Sequence, residues 1–467
     1  MLTLEKESLM YRPAPQSLPP TPSPLPGWRV YCLRYPLVEW AIYGMWAFVG
    51  FTALQSLWGG IALRWEMGRF WFAADTADPW YELGTSLGFW GMLFLGLNFI
   101  LAARWQWVED LTGGLDRSYQ LHAQVGSTAL IFLLLHLLVL AVQAIPDQQV
   151  LAQYLVPFVD THYTLGMVGV VGLGLLVALT LWVKLPYGRW LQSHQLMGVP
   201  FLAGSLHAIL LQMDWYLMAI LGVGCYAWLY RLGLYRRWAP PAAGKLATVT
   251  PQPGVTELQI QLDRPFAAQP GQFVFFNVRQ TAAPLSTEPH PFSISAIVDT
   301  QTIRISAKAL GDYTRSLPNL QPGDLVALSG PHGRFGARRR LVTGPLLWVA
   351  GGIGVTPFLS MLQAEQTLPM PGQPLTFVWS VKNRQEALYA TEIATQIQHL
   401  PHATFRLHLS DEEGYLTARQ LFEQCGQPAD LTVFLCGPPP MMHKLKSQFR
   451  QLGLRGSALV TEEFALR

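Results

Sequence analysis

Residues 121–140 read LHAQVGSTALIFLLLHLLVL, a stretch that is long and apolar enough to cross a lipid bilayer. An α-helix rises about 1.5 Å per residue, so twenty residues span a hydrocarbon core of roughly 30 Å. The only ionisable groups in the stretch are His122 and His136, which lie fourteen residues apart and so share one helix face. Ionisable groups inside a membrane are costly and are usually kept for function. The stretch therefore predicts a membrane helix that carries two functional imidazoles.

Six segments of similar length and polarity predict a membrane bundle of six α-helices. They are approximately residues 37–58, 83–103, 119–142, 163–183, 193–212 and 214–231. The fifth segment carries a second pair, His194 and His207, which are thirteen residues apart. Thirteen residues place two side chains well apart around an ideal helix, so we expect Gly198 and Pro200 to kink or rewind this segment.

Both histidine-bearing segments are predicted to cross the membrane in the same direction, which brings the four imidazoles to two levels. We expect His122 beside His194 near the cytoplasm and His136 beside His207 near the far side, roughly 20 Å away. Two imidazoles at one level can bind the iron of a porphyrin from both faces. Small residues that leave space for such a macrocycle are Ala123, Gly126, Ser127, Ala203, Gly204 and Ser205. The pattern predicts two stacked haems; the alternative is four buried histidines that hydrogen-bond between helices.

The basic residues favour a cytoplasmic N-terminus. The inside stretches then hold Arg29, Arg34, Arg104, Arg117, Lys184, Arg189, Arg231, Arg236 and Arg237, whereas the outside loops hold Arg64, Arg69 and several acids. This distribution follows the positive-inside tendency and predicts an integral membrane protein whose C-terminal half is also cytoplasmic. Residues 1–35 are predicted to be a Pro-rich flexible tail, to which we assign no chemistry.

The composition agrees with a membrane portion joined to a soluble one, since 51% of the residues are hydrophobic and only 13% are charged. The net charge is +3 and no basic tract is interleaved with aromatics, so nucleic-acid binding is not supported. The four cysteines, which are Cys32, Cys225, Cys425 and Cys436, form no C-x-x-C pair. This argues against a disulfide framework or an iron–sulfur cluster, so a metal would have to use histidine.

Residues 241–342 read as a small antiparallel β-barrel, because short β-type runs alternate with Pro-Gly turns. Within this part, residues 290–295 read HPFSIS and offer small hydroxyls that can hydrogen-bond a planar heteroaromatic ring. Residues 311–314 read GDYT and can open a helix whose first amides face a phosphate.

Residues 343–467 change to alternating strands and helices, which is typical of a doubly wound α/β domain. A strand at 346–350 leads into GGIGVTP, residues 351–357, where a glycine turn and a helix N-terminus can bind a pyrophosphate or simply form a tight turn. A later strand at 431–435 ends at Cys436, either at the ligand-binding edge of the sheet or in the core. Phe464 either covers an aromatic ring or packs in the core.

Roughly residues 80–467 resemble the ferric reductase and NADPH oxidase superfamily. The similarity lies in the ordered set of paired helix histidines, HPFSIS, GDYT, GPHGRF at 330–335, GGIGVTP and CGPPPM at 436–441. It implies a ferredoxin-reductase-like cytoplasmic module beside the six-helix membrane bundle, with FAD, NAD(P)H and two b-type haems that carry electrons in series. The expected domains are the tail (1–35), the haem domain (36–235), an FAD-binding β-barrel (241–342) and an NAD(P)H-binding α/β domain (343–467).

The resemblance also implies roles for particular residues. The family's flavin-ring motif is matched by His290, Pro291, Phe292, Ser293 and Ser295. Its FAD pyrophosphate site resembles the stretch that contains Gly311 and Thr314. The loop that binds the nicotinamide-nucleotide phosphates in the family is similar to this chain at Gly351, Gly352, Gly354, Thr356 and Pro357. Cys436 and Gly437 resemble the residues beside the nicotinamide, and Phe464 resembles the aromatic that shields the flavin. Of these, Ser293, Cys436 and Phe464 are the expected catalytic positions.

Two departures from the animal oxidases concern the acceptor. Gly91 and Leu140 stand where those enzymes place a basic residue and a further histidine near the proposed oxygen pocket. Oxygen giving superoxide is the preferred acceptor and a ferric chelate is the alternative. A third alternative is a haem-binding membrane subunit that passes electrons to a protein partner, although the sequence requires no partner subunit besides the lipid bilayer.

The choice between NADPH and NADH depends on the turn after the strand at 375–381. Lys382 and Arg384 in this turn can pair with a 2′-phosphate, and no acid occupies it to bind a ribose diol. The sequence therefore favours NADPH, while the alternative is that both side chains are ordinary solvated surface.

Overall fold

The computed structural model describes residues 61–66, 69–74, 78–211, 215–234, 240–283, 285–366 and 373–462, with the single positions 44, 47 and 50. The predicted span at 37–58, apart from those three positions, and Phe464 lie outside the described residues. The chain forms two compact units. The first unit contains Ala242–Pro331 and Leu347–Leu416; the second contains the described residues up to Pro241, then His332–Leu346, then those from Thr417 onwards.

The membrane part of the second unit is helical after a short antiparallel hairpin. The hairpin is β1 (Ile61–Glu66) and β2 (Arg69–Ala74). The helices are α1 (Pro79–Ala102), α2 (Gln106–Thr112), α3 (Leu115–Gln143), α4 (Gln148–Leu155), α5 (Thr161–Trp182), α6 (Tyr187–Gln195), α7 (Gly198–Leu211) and α8 (Trp215–Leu229). Asp78, Asp147 and Asp160 cap α1, α4 and α5, because each carboxylate accepts hydrogen bonds from amides of the first turn.

Four helices within the described residues are long and apolar enough to cross a membrane. They are α1, α3, α5 and the stretch Gly188–Leu211, which covers α6 and α7. The sixth predicted span is present as α8, which is shorter than a bilayer crossing and continues into a π-helical turn at Tyr230–Leu234. The prediction of six spanning helices is thus supported for four of them.

The fifth predicted segment is broken between Gln195 and Gly198, close to where its histidine spacing required an irregularity. The indole Nε1–H of Trp228 donates a hydrogen bond to the Gln195 carbonyl at 2.8 Å. A Cβ added at Gly198 would lie only 1.9 Å from the Trp228 ring, so glycine is required for this close approach. Trp228 therefore stabilises the helix break.

The helices pack through aromatic and small residues. Phe94, Phe201, Leu217 and Leu221 are almost fully buried, and the rings of Phe99 and Phe201 stack at 4.3 Å. A Cβ added at Gly224 of α8 would lie 3.1 Å from the Gly96 carbonyl oxygen of α1. Such small residues let helix backbones approach closely, as membrane helix packing requires.

The first unit contains the predicted antiparallel barrel. Its strands are β3 (Ala242–Gln252), β4 (Val255–Leu262), β5 (Phe273–Gln280), β6 (His290–Ile297), β7 (Thr302–Lys308) and β8 (Leu325–His332), which close in the order β3-β4-β7-β6-β5-β8. Alternating side chains of these strands fill the interior, among them Leu258, Ile260, Phe276, Ile294 and Ile305. The GDYT stretch opens the short helix α9 (Asp312–Ser316), as its sequence indicated.

The α/β part follows in the chain. The second unit contains α10 (Phe335–Arg339), α14 (Ala418–Gln424), β12 (Thr432–Cys436), α15 (Pro439–Gln451) and β13 (Leu459–Glu462), with β12 and β13 parallel. The first unit contains β9 (Leu346–Gly351) from Leu347 onwards, and α11 (Thr356–Glu365), β10 (Leu375–Val381), α12 (Ala390–Gln398), β11 (Ala403–Leu409) and α13 (Ser410–Glu413). The first-unit strands run in the order β11-β10-β9, and β10 and β11 are parallel. The α/β class predicted from the sequence is confirmed.

Candidate functional site

The four membrane histidines meet in the two predicted pairs. The imidazole centroids of His122 on α3 and His194 on α6 lie 5.9 Å apart, with their planes at 68°. Those of His136 on α3 and His207 on α7 lie 6.5 Å apart at 62°. The first pair is called the 122/194 pair below, and the second the 136/207 pair.

These separations fit one iron between the two rings of each pair. Imidazoles that bind a metal from opposite sides, with bonds of about 2 Å, have ring centroids roughly 6 Å apart. Within the described residues, no group of three or more His, Cys, Asp or Glu side chains is arranged to hold a metal ion. The donor set therefore fits a haem, whose porphyrin supplies the remaining ligands, better than a metal bound by protein side chains alone.

Three of the four imidazoles are oriented by backbone carbonyl groups. The Nδ1 atoms of His122, His136 and His207 lie 3.0, 2.7 and 2.7 Å from the carbonyl oxygens of Asn98, Gly84 and His162. A carbonyl oxygen only accepts, so each Nδ1 carries the proton and leaves the Nε2 lone pair free. This is the tautomer that an axial ligand requires, and a hydrogen-bonded Nδ1–H also makes the ligand more basic.

His194 is held differently from the other three. Its ring stacks on Trp190 with centroids 5.1 Å apart and planes at 12°, and its buried Nδ1 has no hydrogen-bond partner within the described residues. Glycines make room for two of the other rings. A Cβ on Gly88 would lie 2.6 Å from the His136 ring, and one on Gly166 would lie 3.0 Å from the His207 ring.

The surroundings of the 136/207 pair are aliphatic and phenolic. Leu140 lies against Gly84, where a Cβ would come within 2.6 Å of its side chain, and it packs in a cluster with Tyr154. The rings of Tyr154 and Tyr163 lie 4.9 Å apart, and Tyr163 lies 6.1 Å from the His207 ring. Gly91, the other position that departs from the animal oxidases, is covered by Leu133.

The barrel carries a cradle that fits a flavin. Strand β6 places Ser293 with a buried Oγ that has no partner within the described residues, as expected of a hydroxyl reserved for a ligand. His290 stacks on Tyr313 with centroids 3.7 Å apart. The buried Tyr313 hydroxyl also lacks a partner there, and burial followed by the nearby Glu288 carboxylate raises the pKa of this phenol.

Other motif residues of the barrel have structural partners. The Ser295 hydroxyl is fully buried and hydrogen-bonds with Arg304 and Ser306, so it supports the strand beneath Ser293. Thr314 Oγ1 accepts hydrogen bonds from the Leu310 and Gly311 amides at the start of α9. Pro291 and Phe292 lie half-buried on β6 between His290 and Ser293.

The glycine loop has the geometry of a strand, a turn and a helix. After β9, Gly352 adopts a positive φ of 52° and begins a 3-10 turn, Gly352–Val355, which leads into α11 at Thr356 and Pro357. The indole of Trp379 on β10 donates to the Gly352 carbonyl at 2.9 Å and fixes the turn. Lys382 and Arg384 are both exposed after β10, where they are free to reach a ligand in solution.

Cys436 lies at the end of β12 and faces a residue that the sequence analysis missed. In the parallel pairing of β12 with β13, Cys436 is opposite Glu462, and both side chains are buried. Burial raises the pKa of the Glu462 carboxyl well above its usual range, and Asp116 and Glu109 add to the shift. Burial and the Glu462 carboxyl also raise the pKa of the Cys436 thiol.

A cavity of about 790 Å³ adjoins Glu462 within the second unit. Its wall includes Thr461 and Glu462 of β13, Phe335 of α10, and Asp116 and Gln120 in the first two turns of α3. The cavity wall therefore includes both the acid of β13 and the start of α3, the helix that carries His122 two residues after Gln120. Its volume lies in the range of small-molecule and cofactor sites.

Three families match successive parts of the chain. Residues 87–205 match the ferric reductase like transmembrane component, residues 245–323 match an FAD-binding domain, and residues 348–447 match the oxidoreductase NAD-binding domain. This is the domain make-up of the ferric reductase and NADPH oxidase superfamily. The chain combines a ferric reductase-like membrane domain with FAD-binding and NAD-binding oxidoreductase domains.

Curated relatives match a part of the chain. Flavohemoprotein A of Dictyostelium discoideum is 32% identical over 198 residues, which cover 39% of this chain and 49% of that protein. The toluate 1,2-dioxygenase electron transfer component of Pseudomonas putida is 25% identical and covers 42% and 58%. The chain thus spans about half the length of these relatives. A crystal structure of flavohemoglobin from Malassezia yamatoensis is 17% identical with a TM-score of 0.46, covering 83% of this chain and 96% of that one.

The raised pKa of Glu462 predicts how stability depends on pH. The folded protein holds this proton to a higher pH than the unfolded chain, so the carboxyl destabilises the fold as pH rises above its usual value of 4.5. Glu462→Gln keeps the shape of the protonated acid and removes the titration. We expect its thermal midpoint to exceed that of the wild type at pH 8, with the difference shrinking towards pH 5.

The exposed Glu423 provides a control for this measurement. The variant Glu423→Gln should track the wild-type midpoint at every pH. A Glu462→Gln profile that is parallel to the wild type between pH 5 and pH 8 would contradict the buried, protonated acid.

Proposed function

We propose that the protein carries electrons from NAD(P)H through FAD and two haems to an acceptor on the far side of a membrane. The observation that supports this most directly is the presence of two imidazole pairs at iron-binding separation on helices that can cross a bilayer. Each pair includes at least one imidazole whose Nδ1 is bonded to a carbonyl and whose Nε2 is therefore free to bind.

The cofactors supply the redox chemistry, since FAD accepts a hydride and returns two electrons singly while each haem iron carries one electron at a time. Oxidation of one NAD(P)H would therefore reduce two one-electron acceptors and release one proton on the side where the nucleotide binds. The chain contributes placement: His122 with His194 would hold one haem, and His136 with His207 would hold the other. With two histidines on each iron, no coordination position would be left for the acceptor, which would then react at the haem edge.

In the dehydrogenase part, Ser293 would bind the flavin ring through its free hydroxyl, with His290 and Tyr313 beside it. Gly311 and Thr314 would face the FAD pyrophosphate, and the loop from Gly351 to Pro357 would bind the nucleotide phosphates. Cys436, Gly437 and Glu462 would line the nicotinamide, and Phe464 would shield the flavin. The arginine distribution supports a cytoplasmic N-terminus and dehydrogenase.

Oxygen, giving two superoxide ions per NAD(P)H, is the acceptor that we propose. The alternative is a ferric chelate, and one observation favours it: Leu140 fills the space beside Gly84 and Leu133 fills that beside Gly91. Leu140 and Gly91 are the two positions that depart from the animal oxidases. A chelate bound at the haem edge would need no enclosed oxygen pocket.

The haem prediction is tested by a reduced-minus-oxidised visible spectrum with haem quantitation on the purified protein. We expect two low-spin haems per chain in the wild type. His136→Ala removes one ligand of the 136/207 pair and should leave one haem per chain with the low-spin spectrum retained. His162→Ala is the matched control, because it deletes a neighbouring exposed imidazole but keeps the carbonyl that orients His207. Zero or one haem in the wild type would overturn the four-histidine assignment.

The acceptor is identified by two assays on the same preparation. Cytochrome c reduction that superoxide dismutase blocks is expected if oxygen is the acceptor. Steady reduction of a ferric chelate without oxygen, at a rate no lower than that of oxygen consumption in air, would instead support the ferric reductase alternative.

Nucleotide choice is tested at Arg384. We expect Arg384→Ala to lower kcat/KM for NADPH by about tenfold or more and to leave that for NADH nearly unchanged, because a charge-assisted contact to the 2′-phosphate is lost. Arg406→Ala, at an exposed arginine on the adjacent strand β11, should leave both values unchanged. Equal loss for both nucleotides would contradict the 2′-phosphate contact.

A further inference from the structure

Two consecutive carboxylates on α2, Glu109 and Asp110, are each only 1% exposed. Burying a carboxylate is unfavourable unless hydrogen bonds and opposite charge compensate it. Helix α2 has only seven residues and carries no basic side chain that would serve this purpose. The two acids must therefore find their partners elsewhere in the chain.

Their partners are three consecutive residues about 224 positions later, within the same compact unit. The Gly333 amide donates to Glu109 Oε1 at 2.5 Å, and Arg334 Nε donates to Asp110 Oδ1 at 2.7 Å. His332 Nδ1 lies 3.4 Å from Glu109 Oε2. Gly333 has a φ of 98°, a left-handed conformation that glycine adopts without strain. We call this set of five residues the acid latch.

Electrostatics support a charged contact. Burial alone would raise the pKa of Glu109, but the hydrogen bond from His332 and the charge of Arg334 bring it below its usual value. The Arg334 and Asp110 side chains are 12% and 2% exposed, so water screens their attraction much less than on a surface. Removing one partner of such a pair leaves the other charge buried and uncompensated.

The latch connects two functional elements. On one side, Thr112 at the end of α2 hydrogen-bonds Ser118 on α3 at 2.6 Å, one turn before His122. On the other side, Phe335 follows the latch and packs against Phe434 on β12 at 5.3 Å, two residues before Cys436. Gly113 adds a second contact, because a Cβ there would lie 2.7 Å from Arg338 of α10.

We propose that Glu109 and Asp110 are positioning residues that hold the start of α3 against residues 332–334 and so set the rate at which electrons enter the haem of the 122/194 pair. This inference rests on the proposed electron path. Neither acid belongs to a histidine pair or to the flavin and nucleotide motifs. Their removal should slow the step from flavin to haem while nicotinamide oxidation by the flavin is preserved.

The test is a comparison of two rates in the full-length protein loaded with FAD and haem. Asp110→Asn is nearly isosteric and removes one charge of the latch. We expect anaerobic reduction of the haem by NADPH, followed in a stopped-flow spectrometer at the Soret band, to slow by about tenfold or more, since small displacements of reacting groups have effects of this size. The rate of ferricyanide reduction, which reports flavin turnover, should stay within about twofold.

A double-mutant cycle shows whether the acid acts through its arginine. Arg334→Gln should slow haem reduction to a similar extent, and the double variant should be no slower than either single one. Arg334→Lys keeps the charge and should recover part of the rate. Arg406→Gln, which breaks an exposed ion pair with Glu413 at 2.6 Å, is the matched control and should leave both rates unchanged.

The outcomes separate this proposal from the proposed function. If NADPH does not reduce the haem in the wild type, the electron path itself is wrong, and the latch proposal falls with it. If the wild type is active but Asp110→Asn and Arg334→Gln reduce haem at the wild-type rate, only the latch proposal is overturned. An equal loss of haem and ferricyanide reduction, or loss of bound cofactor in both variants and in Arg334→Lys, would show a requirement for folding and would also overturn it.

Discussion

The hydrogen bond from an imidazole Nδ1–H to a backbone carbonyl is the interaction on which the membrane site depends. In a membrane interior a helix carbonyl has few other donors within reach, so the bond fixes both the orientation and the tautomer of the ring. It occurs at His122, His136 and His207, with acceptors on α1 and α5. Ligand geometry is thereby tied to the packing of neighbouring helices, and the glycines at 88 and 166 let those helices approach the rings.

Much of this arrangement could be predicted from the sequence because periodicity carries it. The spacing of His122 and His136 on one uncharged stretch, repeated with an offset at His194 and His207, predicts two levels without any coordinates. The β-barrel, the α/β class and the strand from Leu375 to Val381 follow from alternating patterns and turn residues. The sequence predicted six spanning helices, whereas the described residues contain four that are long enough, and α8 is too short to cross a bilayer alone.

The remaining features could not be read from the sequence because they depend on contacts between distant residues. Glu462 looks like an ordinary surface acid near the C-terminus, and only the register of β12 with β13 places it opposite Cys436. Glu109 and Asp110 likewise resemble a solvated pair, and their burial depends on a loop more than 200 residues away. The GPHGRF motif gave a signal of sequence similarity, but nothing in it identified two acids as its partners.

The break that Trp228 stabilises between Gln195 and Gly198 has a mechanical consequence. His194 and His207 belong to the same predicted segment, yet His194 lies on α6 and His207 lies on α7, on either side of the break. A continuous helix would couple the two rings, so that a rotation correcting one would misalign the other. Because the segment is broken, the two rings need not keep the angular offset of an ideal helix, and each meets its partner on α3, which itself is unbroken. The histidine pairs are thus held on one side by the continuous helix α3 and on the other side by two short helices, α6 and α7.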